Sequence, residues 1–119
     1  MAYHYKVQCK EYDKVNPELK KSIDKGMERL IALIKGKEEN GEPFEKIFNN
    51  ETIKYDVLSE KFFTFKAHGS DSTQLRLLYE FKRDGEETYI ILHKFFEKRR
   101  TNNKYITIFR EYVKNYKED

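Results

Sequence analysis

Residues 3–9 alternate, with Tyr3, Tyr5, Val7 and Cys9 on one face and His4, Lys6 and Gln8 on the other. That period predicts a half-buried strand. Asn16-Pro17 predicts a helix start, since Asn suits the N-cap and Pro at the first helical position gives up only an N–H that the helix leaves unpaired. Leu19, Ile23, Met27, Leu30, Ile31 and Ile34 then follow at spacings of three and four, one apolar stripe on a long helix. Gly36 predicts its end, because glycine tolerates positive φ. The polar stretch Lys37 to Pro43 reads as a loop, and Pro43, Phe44, Ile47 and Phe48 as a short second helix ended by Asn49-Asn50.

The second half of the chain has the period of strands. Ile53, Tyr55 and Val57 alternate, as do Phe63, Phe65 and Ala67 after a turn at Ser59-Glu60. His68 to Ser72 is a loop of turn-forming residues. Leu75, Leu77, Tyr79 and Phe81 alternate with Arg76, Leu78 and Glu80, and Asp84-Gly85 is a hairpin signal. The return strand sets Tyr89, Ile91, His93 and Phe95 against Ile90, Leu92 and Lys94. A last helix from Asn103 carries Tyr105, Ile106, Phe109, Tyr112, Val113 and Tyr116 as its apolar face. The expected fold is α+β: an antiparallel-rich sheet with an N-terminal helical segment (long helix plus short helix) and a C-terminal helix, the helices covering one face. No repeat or interdomain linker interrupts it, so residues 1–119 are expected to form a single domain.

Composition narrows the class. Of 119 residues, 38% are charged and 15% aromatic, too many rings for intrinsic disorder. Cys9 is the only cysteine, which excludes a disulfide framework or a thiolate-rich zinc site. Neither a membrane-spanning run nor a signal peptide is apparent, and a soluble, cytoplasmic protein is the expectation. Neither a P-loop nor a dinucleotide fingerprint occurs, nor any paired-histidine metal spacing. No cofactor, metal or membrane partner is therefore expected.

The net charge of +3 is unevenly spread. Residues 1–60 carry 11 Lys and Arg against 12 Asp and Glu, whereas residues 61–119 carry 13 against 9. The excess is densest at Lys94, Lys98, Arg99, Arg100 and Lys104, interrupted by Glu97. With Lys66 and Arg76 on neighbouring strands, these cations converge on one end of the sheet if the pairing is in register, an arrangement suited to a phosphate backbone. A solvated basic loop is the plainer alternative. His68 beside Gly69 and His93 within a strand are candidate proton carriers; a turn residue and a packed histidine are their plain alternatives. Tyr79 can stack on a base or fill the core, and Cys9 is expected to pack beneath the first strand.

The stretch from Lys61 to Lys104 resembles the RelE/HigB superfamily of bacterial toxins and their phage-encoded relatives. The residues that carry the resemblance are Phe63-Thr64-Phe65-Lys66, Gln74-Leu75-Arg76-Leu77-Leu78-Tyr79, and Ile90 through Lys98. Lys66 stands for an arginine of the first motif, Arg76 and Tyr79 match the second, and His93, Phe95 and Lys98 match the third. Lys94 stands where glycine is usual, and Glu97 where the first lysine is usual. The resemblance implies the toxin of a type II toxin–antitoxin pair, a metal-independent endoribonuclease that cuts mRNA on the ribosome and is neutralised by a cognate antitoxin protein. It implies a catalytic set of Lys66, His68, Arg76, His93 and Lys98, with Tyr79, Lys94, Arg99, Arg100 and Lys104 on the RNA. Two other readings compete: a nucleic-acid-binding module without catalysis, and a phage or mobile-element interaction protein that uses exposed rings such as Tyr3 or Tyr112.

Overall fold

Asn16 and Pro17 open the long helix as the sequence predicts. In the computed structural model, which describes residues 2–42, 53–54, 62–68, 74–98 and 104–116, the Asn16 side chain accepts a hydrogen bond from the Leu19 N–H at 2.8 Å. Pro17 takes the first helical position of α1, Pro17–Glu39. Leu19, Ile23, Met27, Leu30 and Ile34 are buried, and Ile31 packs beside them. Gly36 does not end the helix. The chain runs another turn, Asn40 bonds back to the Gly36 carbonyl at 3.1 Å, and Gly41 supplies the positive φ of +75°. A glycine helical in its own dihedrals does not break a helix whose next turn still has partners.

Five strands form one mixed sheet in the order β1-β5-β4-β3-β2. They are β1 (Ala2–Val7), β2 (Ile53–Lys54), β3 (Phe62–His68), β4 (Gln74–Asp84) and β5 (Glu87–Lys98). β1 runs parallel to β5, and the β2–β3, β3–β4 and β4–β5 pairs are antiparallel. Asp84 pairs with Glu87, leaving a two-residue turn whose Gly85 takes φ +61°, the dihedral that tight hairpins demand. β1 stops at Val7; Cys9 then leads into a short 3-10 turn, Lys10–Lys14, which the alternation through residue 9 did not anticipate. The coarse α+β class holds. The expected short helix at 43–48, the strand residues Tyr55 and Val57, the Ser59-Glu60 turn and the Gly69 to Ser72 loop lie outside the described residues.

The helices do not share one face. α1 packs over Phe63, Phe65, Ala67, Leu75, Leu77, Tyr79, Ile90 and Leu92. The second helix, α2 (Lys104–Asn115), packs over Phe62, Leu78 and Phe96. These sets alternate along β3 and β4, and on β5 a register shift between Leu92 and Phe96 changes the parity, so they belong to opposite faces. The cause is physical: β4 and β5 carry apolar residues on both faces, and each face requires a cover.

One irregularity aims the site. Leu78 pairs with Lys94, but Tyr79 pairs with Leu92. His93 is the extra residue of a β-bulge, which turns His93 and Lys94 toward the same α2-covered face.

Candidate nucleic-acid interface at the end of the sheet

Register brings the predicted cations together. Lys66, Arg76 and Phe96 are Cα partners across β3, β4 and β5, and His68, Gln74 and Lys98 form the next row on the same face. By alternation from Phe62, Leu78 and Phe96, Lys66, Arg76 and Lys98 all lie on the α2 face, where α2 begins with Lys104 and Tyr105. Glu97 pairs with Leu75. The acidic residue that interrupts the basic run in sequence therefore lies on the opposite face of the sheet from Lys66, Arg76 and Lys98.

Arg76 is the unusual member. It is only 5% exposed, yet no carboxylate pairs with it among the described residues. Its Nη2 donates to the Gln74 side chain at 2.8 Å and its Nη1 to the Leu75 carbonyl at 3.2 Å, while Nε finds no partner. The guanidinium carbon stands 5.5 Å from the centre of the Tyr105 ring, and the Lys98 ammonium 5.7 Å from the same ring. An aromatic face attracts cations but does not neutralise them. Two positive groups thus share the Tyr105 ring with no carboxylate paired to either among the described residues, and Lys66 is exposed on the neighbouring strand. That arrangement favours an oxyanion with several acceptor oxygens, and the planar guanidinium fork suits phosphate.

His93 is placed differently. It is 1% exposed, with Nε2 2.9 Å from Glu80 Oε1 and Nδ1 2.9 Å from the Tyr112 hydroxyl. A neutral imidazole satisfies both: Nε2–H donates to the carboxylate and Nδ1 accepts from the phenol. Phe62 and Tyr116 close around the ring at 5.2 and 4.9 Å. Burial, with the nearby Tyr116, Cys9, Glu11 and Glu80, pushes the Tyr112 phenol above its ordinary range. The second Glu80 oxygen has no hydrogen bond, and the Lys82 ammonium at 3.7 Å stands at ion-pair distance only. His93 is enclosed and reaches no surface where RNA could lie.

The remaining candidates separate. Lys94 leans over Tyr112 at 5.4 Å and toward Glu11 at 3.8 Å, at the ring cluster rather than with Arg76. Tyr79 is fully buried under α1, its ring against Phe63 at 5.8 Å, and offers no face to a base; burial drives its hydroxyl pKa well up. His68 ends β3 in the row of Gln74 and Lys98, and its side chain lies outside the described residues, as do Arg99 and Arg100. Lys104 is exposed at the start of α2.

Gln74 and Tyr105 were not among the sequence candidates. Gln74 was legible in principle, two residues before Arg76 on the same strand face. Nothing in the sequence ties Tyr105 to Arg76, because only the docking of α2 brings them together. Among the described residues no cluster of His, Cys, Asp and Glu could hold a metal, and no helix is long and apolar enough to cross a membrane. No family model, curated protein or solved structure matches the chain.

Proposed function

We propose that this chain is the toxin of a type II toxin–antitoxin pair and cleaves mRNA on the ribosome at the basic end of its sheet. The observation that carries the reading is the buried Arg76 guanidinium, without a carboxylate partner among the described residues and flanked by Lys66 and Lys98. The RelE-like order of strand, long helix, hairpin strands and terminal helix supports it, as do the motifs around Arg76 and Lys98. In this mechanism the RNA 2′-hydroxyl attacks the adjacent phosphate, leaving a 2′,3′-cyclic phosphate and a 5′-hydroxyl. Arg76 and Lys66 stabilise the charge that gathers on the phosphoryl oxygens. Lys98, Lys104 and the Arg99-Arg100 pair hold the RNA backbone. His68, at the end of β3, takes the 2′ proton as the P–O5′ bond breaks, and water protonates the departing 5′-oxygen; the enclosed His93 does neither. A cognate antitoxin neutralises the site by covering these cations.

A second reading, binding of nucleic acid without cleavage, is favoured by the enclosure of His93. Induced expression in a bacterial host decides between them, wild type beside Arg76→Ala, with growth and primer extension on an abundant mRNA. Growth arrest with new 5′ ends inside codons, lost in the variant, is the expected result. Normal growth and intact mRNA from folded protein would reject the nuclease. Strongly salt-dependent RNA binding would then identify the binding module.

A further inference from the structure

We infer that Glu80, His93 and Tyr112 are positioning residues that fix where α2 lies on the sheet, and through α2 hold the Tyr105 ring against Arg76 and Lys98. The functional meaning of this inference rests on the proposed role of that basic end. α2 buries one side chain fully, Phe109, against Phe62 and Leu78. Apolar contact is non-directional and by itself lets a short helix slide or roll. The His93–Tyr112 bond is directional and joins sheet to helix at 2.9 Å. Tyr105 and Tyr112 are seven residues apart, two turns of one helix face and about 10 Å along its axis. A bond that sets the depth and roll of Tyr112 therefore sets Tyr105 as well.

The parts are arranged for that task. The bulge frees His93 from strand pairing and turns it toward α2, and Glu80 on the adjacent strand holds its other nitrogen at 2.9 Å. A buried carboxylate with one oxygen lacking a hydrogen bond is a costly way merely to fill space. Such networks serve where one arrangement must be selected over near neighbours.

The test reads the Arg76 Nε–Hε resonance by NMR, which the Tyr105 ring current displaces, and the affinity for a single-stranded oligoribonucleotide. Tyr112→Phe keeps the ring and removes the bond. It is expected to move the Arg76 resonance toward its position in Tyr105→Leu. RNA binding should weaken about three- to tenfold, the range of one ordinary hydrogen bond. In a Tyr105→Leu background the same change should have no further effect on RNA. Tyr12→Phe removes a comparable hydroxyl bond, to Asp24 on the α1 side, and should leave the resonance in place. His93→Gln should reproduce Tyr112→Phe; if it does not fold, Tyr112→Phe decides alone. An unmoved Arg76 resonance in folded Tyr112→Phe, or additive losses with Tyr105→Leu, would overturn the inference. If the wild type binds no RNA, the proposed function falls and the resonance still judges the positioning.

Discussion

Gly26 of α1 faces Ala67 of β3 so closely that a Cβ on Gly26 would stand 3.1 Å from the Ala67 Cβ and 3.2 Å from Leu77 Cδ1. This pair sets the distance between the long helix and the sheet. Gly26→Leu must push α1 outward and is expected to destabilise the fold by about 1–3 kcal/mol, the usual penalty of overpacking. Urea unfolding followed by circular dichroism measures it; an unchanged midpoint would show that α1 does not seat there.

Under the proposed function, Arg76 is held for a ligand at the expense of the unliganded fold. Arg76→Met keeps the length and removes a buried charge that has no carboxylate among the described residues. It should leave stability unchanged or raise it by about 1 kcal/mol, while RNA binding is lost. Phosphate should raise the melting temperature of the wild type and not of the variant. Arg76→Lys should fail as well, since an ammonium cannot reproduce the bonds to Gln74 and Leu75 together with the stack on Tyr105.

The two helices are expected to open separately. α1 buries Leu19, Ile23, Gly26, Met27, Leu30 and Ile34, whereas α2 buries Phe109 alone. Amide exchange should therefore be faster throughout α2 than in the middle of α1. Phe109→Ala should cost about 3–5 kcal/mol of the stability of α2 docking, seen as loss of protection in α2 while α1 remains protected.

Alkali should unfold the protein through groups on the α1 side. Burial, reinforced by the hydrogen bond to Glu11, pushes the Cys9 thiol from 9.0 to about 11. Burial and the bond to Asp24 push the Tyr12 phenol from 10.0 to about 12. Both folded pKa values are raised, so the fold favours the neutral forms. Their contribution is complete below about pH 9 and is lost as pH rises through 11 and 12. Melting temperatures measured upward from about pH 8 should fall across that window, and Cys9→Ala should remove the earlier part of the fall. The Cys9 thiol should also resist alkylation near neutrality.

Much of this architecture can be read from period and punctuation. The Asn16-Pro17 start, the β3 and β4 alternation and the Asp84-Gly85 turn are local, and each stands where its residues place it. What escapes the pattern is non-local. The stop assigned to Gly36 came a turn too early because tertiary support carries α1 on to Gly41. The bulge at His93 is invisible to alternation, since an extra residue leaves a run of apolar and polar positions looking continuous. The convergence of Lys66, Arg76 and Lys98 was legible once three neighbouring strands were placed in order. The burial of Arg76 and the Tyr105 ring beside it were not, because they depend on which face α2 covers. The same opposite-face docking encloses His93, a residue that sequence alone leaves open as an acid or base.

The parallel pairing of β1 with β5 also shapes how the molecule is made. Tyr3 meets Thr88 and Val7 meets Leu92, so the first strand waits for partners more than eighty residues later. During synthesis the α1 stripe emerges before the β4–β5 hairpin that completes its cover. Such long-range closure slows folding and leaves apolar surface open to mispairing meanwhile. Nascent chains halted before residue 87 should therefore engage chaperones, and their release should coincide with the emergence of β5 from the ribosome.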